Sequence, residues 1–205
     1  MIFEHPTNSR LLYVLAHGAG AGMRHPFLEQ ISQALARHRI ATLRYNFPYM
    51  ERGGGRPDPP AVLTASVRAA VEAARKAAPD LPLIAGGKSL GGRMTSTAQN
   101  EGPLSGVKGL AFLGFPLHPP GQPGTKRAEH LERVKVPMLF LQGTRDTFAE
   151  LPLITEVTGR LGDRATLHLV EGGDHSFAVL KRSGRSAAEV IEELAGTIAT
   201  WASIL

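Results

Sequence analysis

Six short apolar runs recur along the chain, at residues 11–16, 40–45, 83–87, 107–115, 136–142 and 165–170. Most are continuously apolar rather than alternating, as in strands covered on both faces. Between them the period changes. Phe27, Leu28, Ile31 and Leu35 mark one amphipathic helix, and Leu63, Val67, Ala70, Val71 and Ala74 mark a second. Residues 93–100 and 126–133 suit two shorter helices. Ala187, Val190, Ile191, Leu194, Ile198, Trp201 and Leu205 draw the clearest stripe, which assigns Trp201 to packing. Strands alternating with helices predict an α/β fold, a mostly parallel sheet of six or seven strands with helices on both faces. Two Gly/Pro-rich stretches, 46–60 and 115–125, directly follow strands. They are therefore expected above the carboxyl edge of the sheet, where open α/β folds bind ligands.

The 205 residues, 42% of them hydrophobic, suffice for one substantial core, and residues 1–205 read as one domain. No window approaches the roughly 18 apolar residues of a membrane span, and the start MIFEHPTNSR lacks the features of a secretory signal. A cytoplasmic protein without a membrane partner is expected. The absence of cysteine excludes disulfides, thiolate nucleophiles and cysteine-based metal sites. The net charge of +5 raises nucleic acid as a partner, but the basic residues are scattered, the densest pairs being Lys126-Arg127 and Lys181-Arg182. A phosphate-backbone footprint concentrates its basic residues on one face, so no nucleic acid is expected; an anionic substrate remains open. The oligomeric state is not fixed by the sequence.

Candidate chemistry starts at Gly87-Lys88-Ser89-Leu90-Gly91, a G-x-S-x-G placed after an apolar run and before a helical one. A serine on such a sharp turn holds strained backbone angles and needs small neighbours two residues away on either side. A phosphate loop ending in G-K-S would need its first glycine at position 82, which is Pro82. Ser89 is thus the candidate nucleophile, with the Leu90 amide facing the reacting carbonyl oxygen.

A serine nucleophile of this kind is followed in the chain by an acid and then a histidine, each after a different strand. Asp146 follows the run at 136–142 and His175 follows the run at 165–170. Asp58 precedes the serine, Asp80 and Asp163 fall near helix ends, and Asp174 adjoins His175, which suits a turn. Of the other histidines only His118, in the loop 115–125, is a candidate for substrate contact. No His/Asp/Glu spacing suits a metal, and none is expected. The run at 11–16 ends in His17-Gly18-Ala19-Gly20-Ala21-Gly22, an H-G-x-G loop able to supply a second oxyanion donor. Ala19 is the first choice, with Gly20 second and His17 holding the loop.

Together HGAGAGM, GGKSLGGR, GFPLHPPG, QGTRDTF and GGDHSF resemble the small lid-less α/β-hydrolases related to dienelactone hydrolase. Their relatives include testis-expressed hydrolase-like proteins and the hydrolase-like subunit of a chromatin acetyltransferase complex. The resemblance implies an α/β-hydrolase fold without a lid domain, Ser89, Asp146 and His175 as catalytic triad, and no cofactor. The function expected is a serine hydrolase cleaving an ester, lactone, thioester or similar acyl bond of a small molecule, the alternative being a non-catalytic scaffold. Gly20, Phe47, Tyr49, Leu117, His118 and Phe177 are the expected substrate contacts, with Met50 and Phe148 as further members of an apolar wall.

Overall fold

A computed structural model describes residues Met1–Leu205. In chain order it runs β1 (Ile2–Glu4), β2 (Leu11–Ala16), α1 (Pro26–Arg37), β3 (Ile40–Tyr45), α2 (Pro48–Glu51), α3 (Pro60–Ala77), β4 (Leu83–Lys88) and α4 (Leu90–Glu101). There follow β5 (Val107–Leu113), a 3-10 segment Lys126–Arg133, β6 (Met138–Gly143), α5 (Leu151–Leu161), β7 (Ala165–Val170) and α6 (Ala187–Ala202). The seven strands form one sheet in the order β1-β3-β2-β4-β5-β6-β7. All neighbours are parallel except β1, which runs antiparallel along β3.

Alternate strand residues face opposite layers. Leu12, Val14 and Ala16 pack with α3, α4 and α5, whereas Leu11, Tyr13 and Leu15 pack with α1 and α6. This two-sided burial explains the unbroken apolar runs. Trp201 lies in the α1/α6 layer so close to β5 that a Cβ on Gly109 would be 2.7 Å from its ring. The 114–137 connection contains only the short 3-10 segment, so no lid domain rises above the sheet. No helix is long and apolar enough to cross a membrane.

Three elements escaped the hydrophobic pattern. Strand β1 is only three residues long, too short for a readable period. Helix α2 occupies four residues of the stretch expected to be irregular, and Pro48 opens it at a position where its missing N–H costs nothing. Helix α5 buries Ile154, Val157 and Leu161, but its proline and β-branched residues mask the helical signal. The expected strand 136–142 starts later, at Met138.

Candidate active site

Strand β4 enters α4 through Ser89, whose backbone sits at φ 49°, ψ −114°, a conformation rare for a residue with a side chain. The Ser89 N–H donates to Leu113 O of β5 at 3.1 Å, and its carbonyl accepts from Arg93 N–H at 3.1 Å, so the strained residue is pinned on both sides. The glycine after it is required by proximity. A Cβ on Gly91 would lie 2.6 Å from His17 O and 2.7 Å from Ala16 O, both backbone atoms.

Beyond β6, a turn closed by Asp146 N–H to Gly143 O points the Asp146 carboxylate inward. Beyond β7, Asp174 Oδ1 accepts from the Ser176 and Ala178 amides at 2.8 and 2.9 Å, which confirms Asp174 as a turn residue. The two loops brace each other through Arg145 N–H to Gly173 O at 2.8 Å. As a result Ser89 Oγ is 2.9 Å from His175 Nε2, and His175 Nδ1 is 2.7 Å from Asp146 Oδ2. The side chain of Asp146 is 1% exposed. Its Oδ2 also accepts from Gln142 Nε2 at 2.5 Å, and its Oδ1 from Phe148 N–H at 2.8 Å. A carboxylate receiving three donors has Nδ1 of His175 protonated toward it, leaving the Nε2 lone pair for the Ser89 hydroxyl.

Lys88 was left without a role by its sequence context. Its ammonium donates to His175 O at 2.6 Å and lies 5.5 Å from the Phe177 ring centroid. Burial pulls its pKa down to about 8, opposed by the charges of Asp146 and Asp174.

The loop after β2 approaches from the opposite side. His17 donates through Nδ1 to Gly18 O at 2.7 Å and accepts the Phe47 N–H on Nε2 at 3.0 Å, a pairing that requires the neutral ring. Burial pulls its pKa below the ordinary value in keeping with that. The Ala19 amide has no hydrogen-bond partner in the protein, and the Leu90 amide, at the first position of α4, has none within the helix. Gly20 is corrected as a candidate: its N–H is taken by Tyr49 Oη at 3.2 Å.

Ser89 and His175 open onto a cavity of about 290 Å³ whose other walls include Ala19, Ala21, His25, Phe27, Leu28 and Phe148. Phe148 also packs on the His175 ring, at a centroid distance of 4.3 Å. Of the expected apolar wall, only Phe148 is there. Phe47, Tyr49 and Leu117 are buried in the core, Met50 packs against that core, Phe177 stacks behind Phe27, and His118 lines a different cavity. The cavity wall comes instead from the start of α1, whose first turn faces the loop after β2. Another cavity, of about 300 Å³ among Arg10, Leu11, Ile40, Pro82 and Ala199, has no histidine or acid in its walls.

A second serine–histidine contact joins Ser96 Oγ to His130 Nε2 at 2.8 Å. Ser96 is fully buried within α4 and its hydroxyl also reaches Arg93 O at 2.8 Å. The charges acting on His130 are those of Arg93 and Arg133, not of a carboxylate. This pair lacks an acid, and its serine is shut off from any substrate. No group of three or more His, Asp or Glu side chains is arranged to hold a metal.

The family model described as an alpha/beta hydrolase domain matches residues 9–203. Among solved structures, the chain is similar to an α/β serine hydrolase homologue from Coxiella burnetii, with 17% identity, TM-score 0.76 and coverage of 96% of this chain and 90% of that one. A lid-less α/β serine hydrolase from Xanthomonas campestris matches with 19% identity, TM-score 0.75 and coverage of 97% and 87%. Dienelactone hydrolase from Anabaena variabilis matches with 19% identity, TM-score 0.75 and coverage of 97% and 88%. At such identities the structural likeness establishes the fold alone.

Proposed function

The chain belongs to the alpha/beta hydrolase domain family, and we propose that within it this protein is a serine hydrolase that cleaves an ester, lactone, thioester or similar acyl bond of a small molecule. The observation that carries the reading is the unbroken line from Ser89 Oγ through His175 to Asp146 Oδ2, with links of 2.9 and 2.7 Å. His175 Nε2 takes the Ser89 proton as Oγ attacks the acyl carbon, and the Asp146 carboxylate stabilises the resulting imidazolium. The Ala19 and Leu90 amides receive the developing oxyanion; one such donor contributes about 3 kcal/mol to lowering a barrier of this kind. Collapse of the tetrahedral intermediate breaks the acyl–heteroatom bond, and the imidazolium returns its proton to the leaving group. Water, deprotonated by the same Nε2, then releases the acid and restores Ser89. No cofactor enters these steps.

A cavity of about 290 Å³ flanked by Phe27, Leu28 and Phe148 favours a compact acyl group over a long chain. The nearer kinship with dienelactone hydrolase and the testis-expressed proteins is part of this reading, supported by the five motifs. A cytoplasmic setting fits the lack of cysteine. The test is labelling with a fluorophosphonate probe: covalent labelling of the wild type that is lost in Ser89→Ala is expected. An unlabelled wild type, or equal labelling of both, overturns the enzyme reading in favour of a scaffold like the chromatin-complex relative. A series of nitrophenyl esters is expected to give falling kcat/KM as the acyl chain lengthens.

A further inference from the structure

A concentration of unpaired positive charge lies outside the triad. The loop 115–125, the 3-10 segment and the outer face of α4 border an open cavity of about 590 Å³ lined by Arg93, Leu117, His118, Lys126, Arg127 and His130, among others. It shares no lining residue with the cavity at Ser89. None of Arg93, Lys126 and Arg127 has a carboxylate within ion-pair distance. Glu129 and Glu132, on the same segment as the two basic residues, are exposed and point away from the lining.

Two buried polar atoms in this wall have no partner. His118 is 3% exposed and donates through Nδ1 to Pro119 O at 2.8 Å, which leaves its Nε2 buried and unbonded. The Nε of Arg93 is likewise buried and unbonded. Such atoms destabilise the fold unless something pairs with them. Burial, and after it the charge of Arg127, pulls Arg93 below its ordinary pKa; burial, and after it the charges of Arg93 and Arg133, pulls His130 down to about 4. Three permanent cations and an imidazole nitrogen converging on one space match a dianion better than a single carboxylate, and guanidinium forks suit phosphate oxygens. The volume exceeds what phosphate alone fills, and Leu117, Pro119 and Pro123 share the lining with Thr97, His118 and Gln122, so the remainder of the ligand meets both hydrogen-bonding and apolar groups, as a sugar does.

We propose that this cavity binds a small polar molecule through its phosphate group, at a site separate from Ser89. The oxygens of a phosphomonoester dianion can accept from Arg93 and Arg127, while a hydroxyl on the rest of the ligand supplies the donor that His118 Nε2 lacks. The cavity is nonetheless adjacent to the triad: the Leu117 and His118 amides donate to Phe148 O at 2.8 and 3.2 Å, and Phe148 packs on His175.

The test is isothermal titration with inorganic phosphate and with ribose 5-phosphate at constant ionic strength. Saturable binding is expected, tighter for the sugar phosphate, unchanged in Ser89→Ala and weakened at least tenfold in Lys126→Gln/Arg127→Gln. In the NMR spectrum the His118 ring resonance is expected to move and that of His175 to stay. The binding expected of Ser89→Ala makes the proposal independent of the hydrolase reading. Since Lys126 is exposed and Arg127 partly so, the ligand-free melting temperature checks the fold of the double variant, and His118→Gln supplies a second probe with the same expected loss. Equal affinity in wild type and variants overturns the proposal, as does malonate binding as tightly as phosphate. Salt-sensitive binding of duplex DNA without saturable phosphate binding also overturns it.

Discussion

Asp146→Asn separates two jobs of the triad acid, because the surrounding donors decide how the amide must sit. Gln142 Oε1 accepts from Phe115 N–H at 2.9 Å, which fixes Gln142 Nε2 as the donor to Asp146 Oδ2. If the asparagine oxygen takes the Oδ2 position, it keeps the bonds from Gln142 and His175, and only Phe148 N–H is left facing an NH2. In the reverse orientation the NH2 faces Gln142 Nε2, whose bond is lost, and it donates to His175 Nδ1 only after the ring has moved its proton to Nε2. Both orientations leave one neighbouring donor facing the NH2, at roughly 1–3 kcal/mol, and only the reverse one also requires the ring to change tautomer. His175 therefore keeps the tautomer able to accept the Ser89 proton, and the loss is that of charge alone. A carboxylate about 4 Å from an imidazolium charge, at an effective dielectric of about 20, contributes about 4 kcal/mol, or roughly a thousandfold in rate. The expected kcat/KM on nitrophenyl acetate is thus down about a thousandfold, short of the roughly ten-thousandfold that a wrong tautomer costs. A loss below tenfold would refute the role of Asp146. A loss to background, with 15N NMR showing the proton on Nε2, would refute the orientation argument.

Lys88→Met removes an ammonium whose pKa is about 8 in the folded protein and 10.5 ordinarily. Between those values the unfolded chain holds more protons, so this group makes wild-type stability rise with pH from about 8 to 10.5. The variant lacks that gain, and its melting temperature relative to wild type is expected to be highest at pH 7.5 and to fall by pH 10; a constant difference contradicts the assignment. Losing the anchor on His175 O should also lower kcat about tenfold with little change in KM. His130, pulled down to about 4, gives the opposite window: as pH falls from 6.5 toward 4 the unfolded chain takes up the proton first and stability drops. His130→Gln is expected to flatten that part of the melting curve against pH, and parallel curves for variant and wild type would count against it. Gly91→Ala puts a methyl against two immovable carbonyls, so a loss of about 3 kcal/mol or more is expected, seen as a fall of roughly 6–12 °C in melting temperature. A shift within 2 °C would mean that the loop after β2 yields freely.

What could be read from the chain divides by the range of the forces involved. Strands β2 and β3 have the limits set by their apolar runs, since burial on both faces writes itself into consecutive residues, and the edge strand β7 keeps its expected limits although only Val170 in it is buried. The contacts among Ser89, His175 and Asp146 were legible because each residue sits in a turn directly after a strand, where local sequence and sheet order together fix position. The cavity wall was not. Phe27 and Leu28 carry the same helical period as Ile31 and Leu35, and period alone does not say that the first turn of α1 faces the loop after β2 while later turns face the core. Phe47 and Tyr49 failed in the opposite direction: they lie in a loop by sequence, yet α2 folds them inward beneath His17, with the Phe47 ring 4.9 Å and the Tyr49 ring 5.9 Å from the imidazole.

That inward fold links the core to the chemistry. The Phe47 amide binds His17 Nε2 and the Tyr49 hydroxyl accepts from Gly20 N–H, so two aromatics expected to touch substrate instead hold both ends of the segment that leaves Ala19 N–H free. Gly91 then brings α4 against His17 O and Ala16 O, which sets the Leu90 amide beside that segment. The strained Ser89 is held by the same contact, because its backbone is fixed by Leu113 on one side and the first turn of α4 on the other. Ser89 and the Ala19 and Leu90 amides are thus positioned by one packed unit, and on the proposed mechanism a change that loosens Phe47 or Tyr49 should raise the barrier to acylation without touching the substrate.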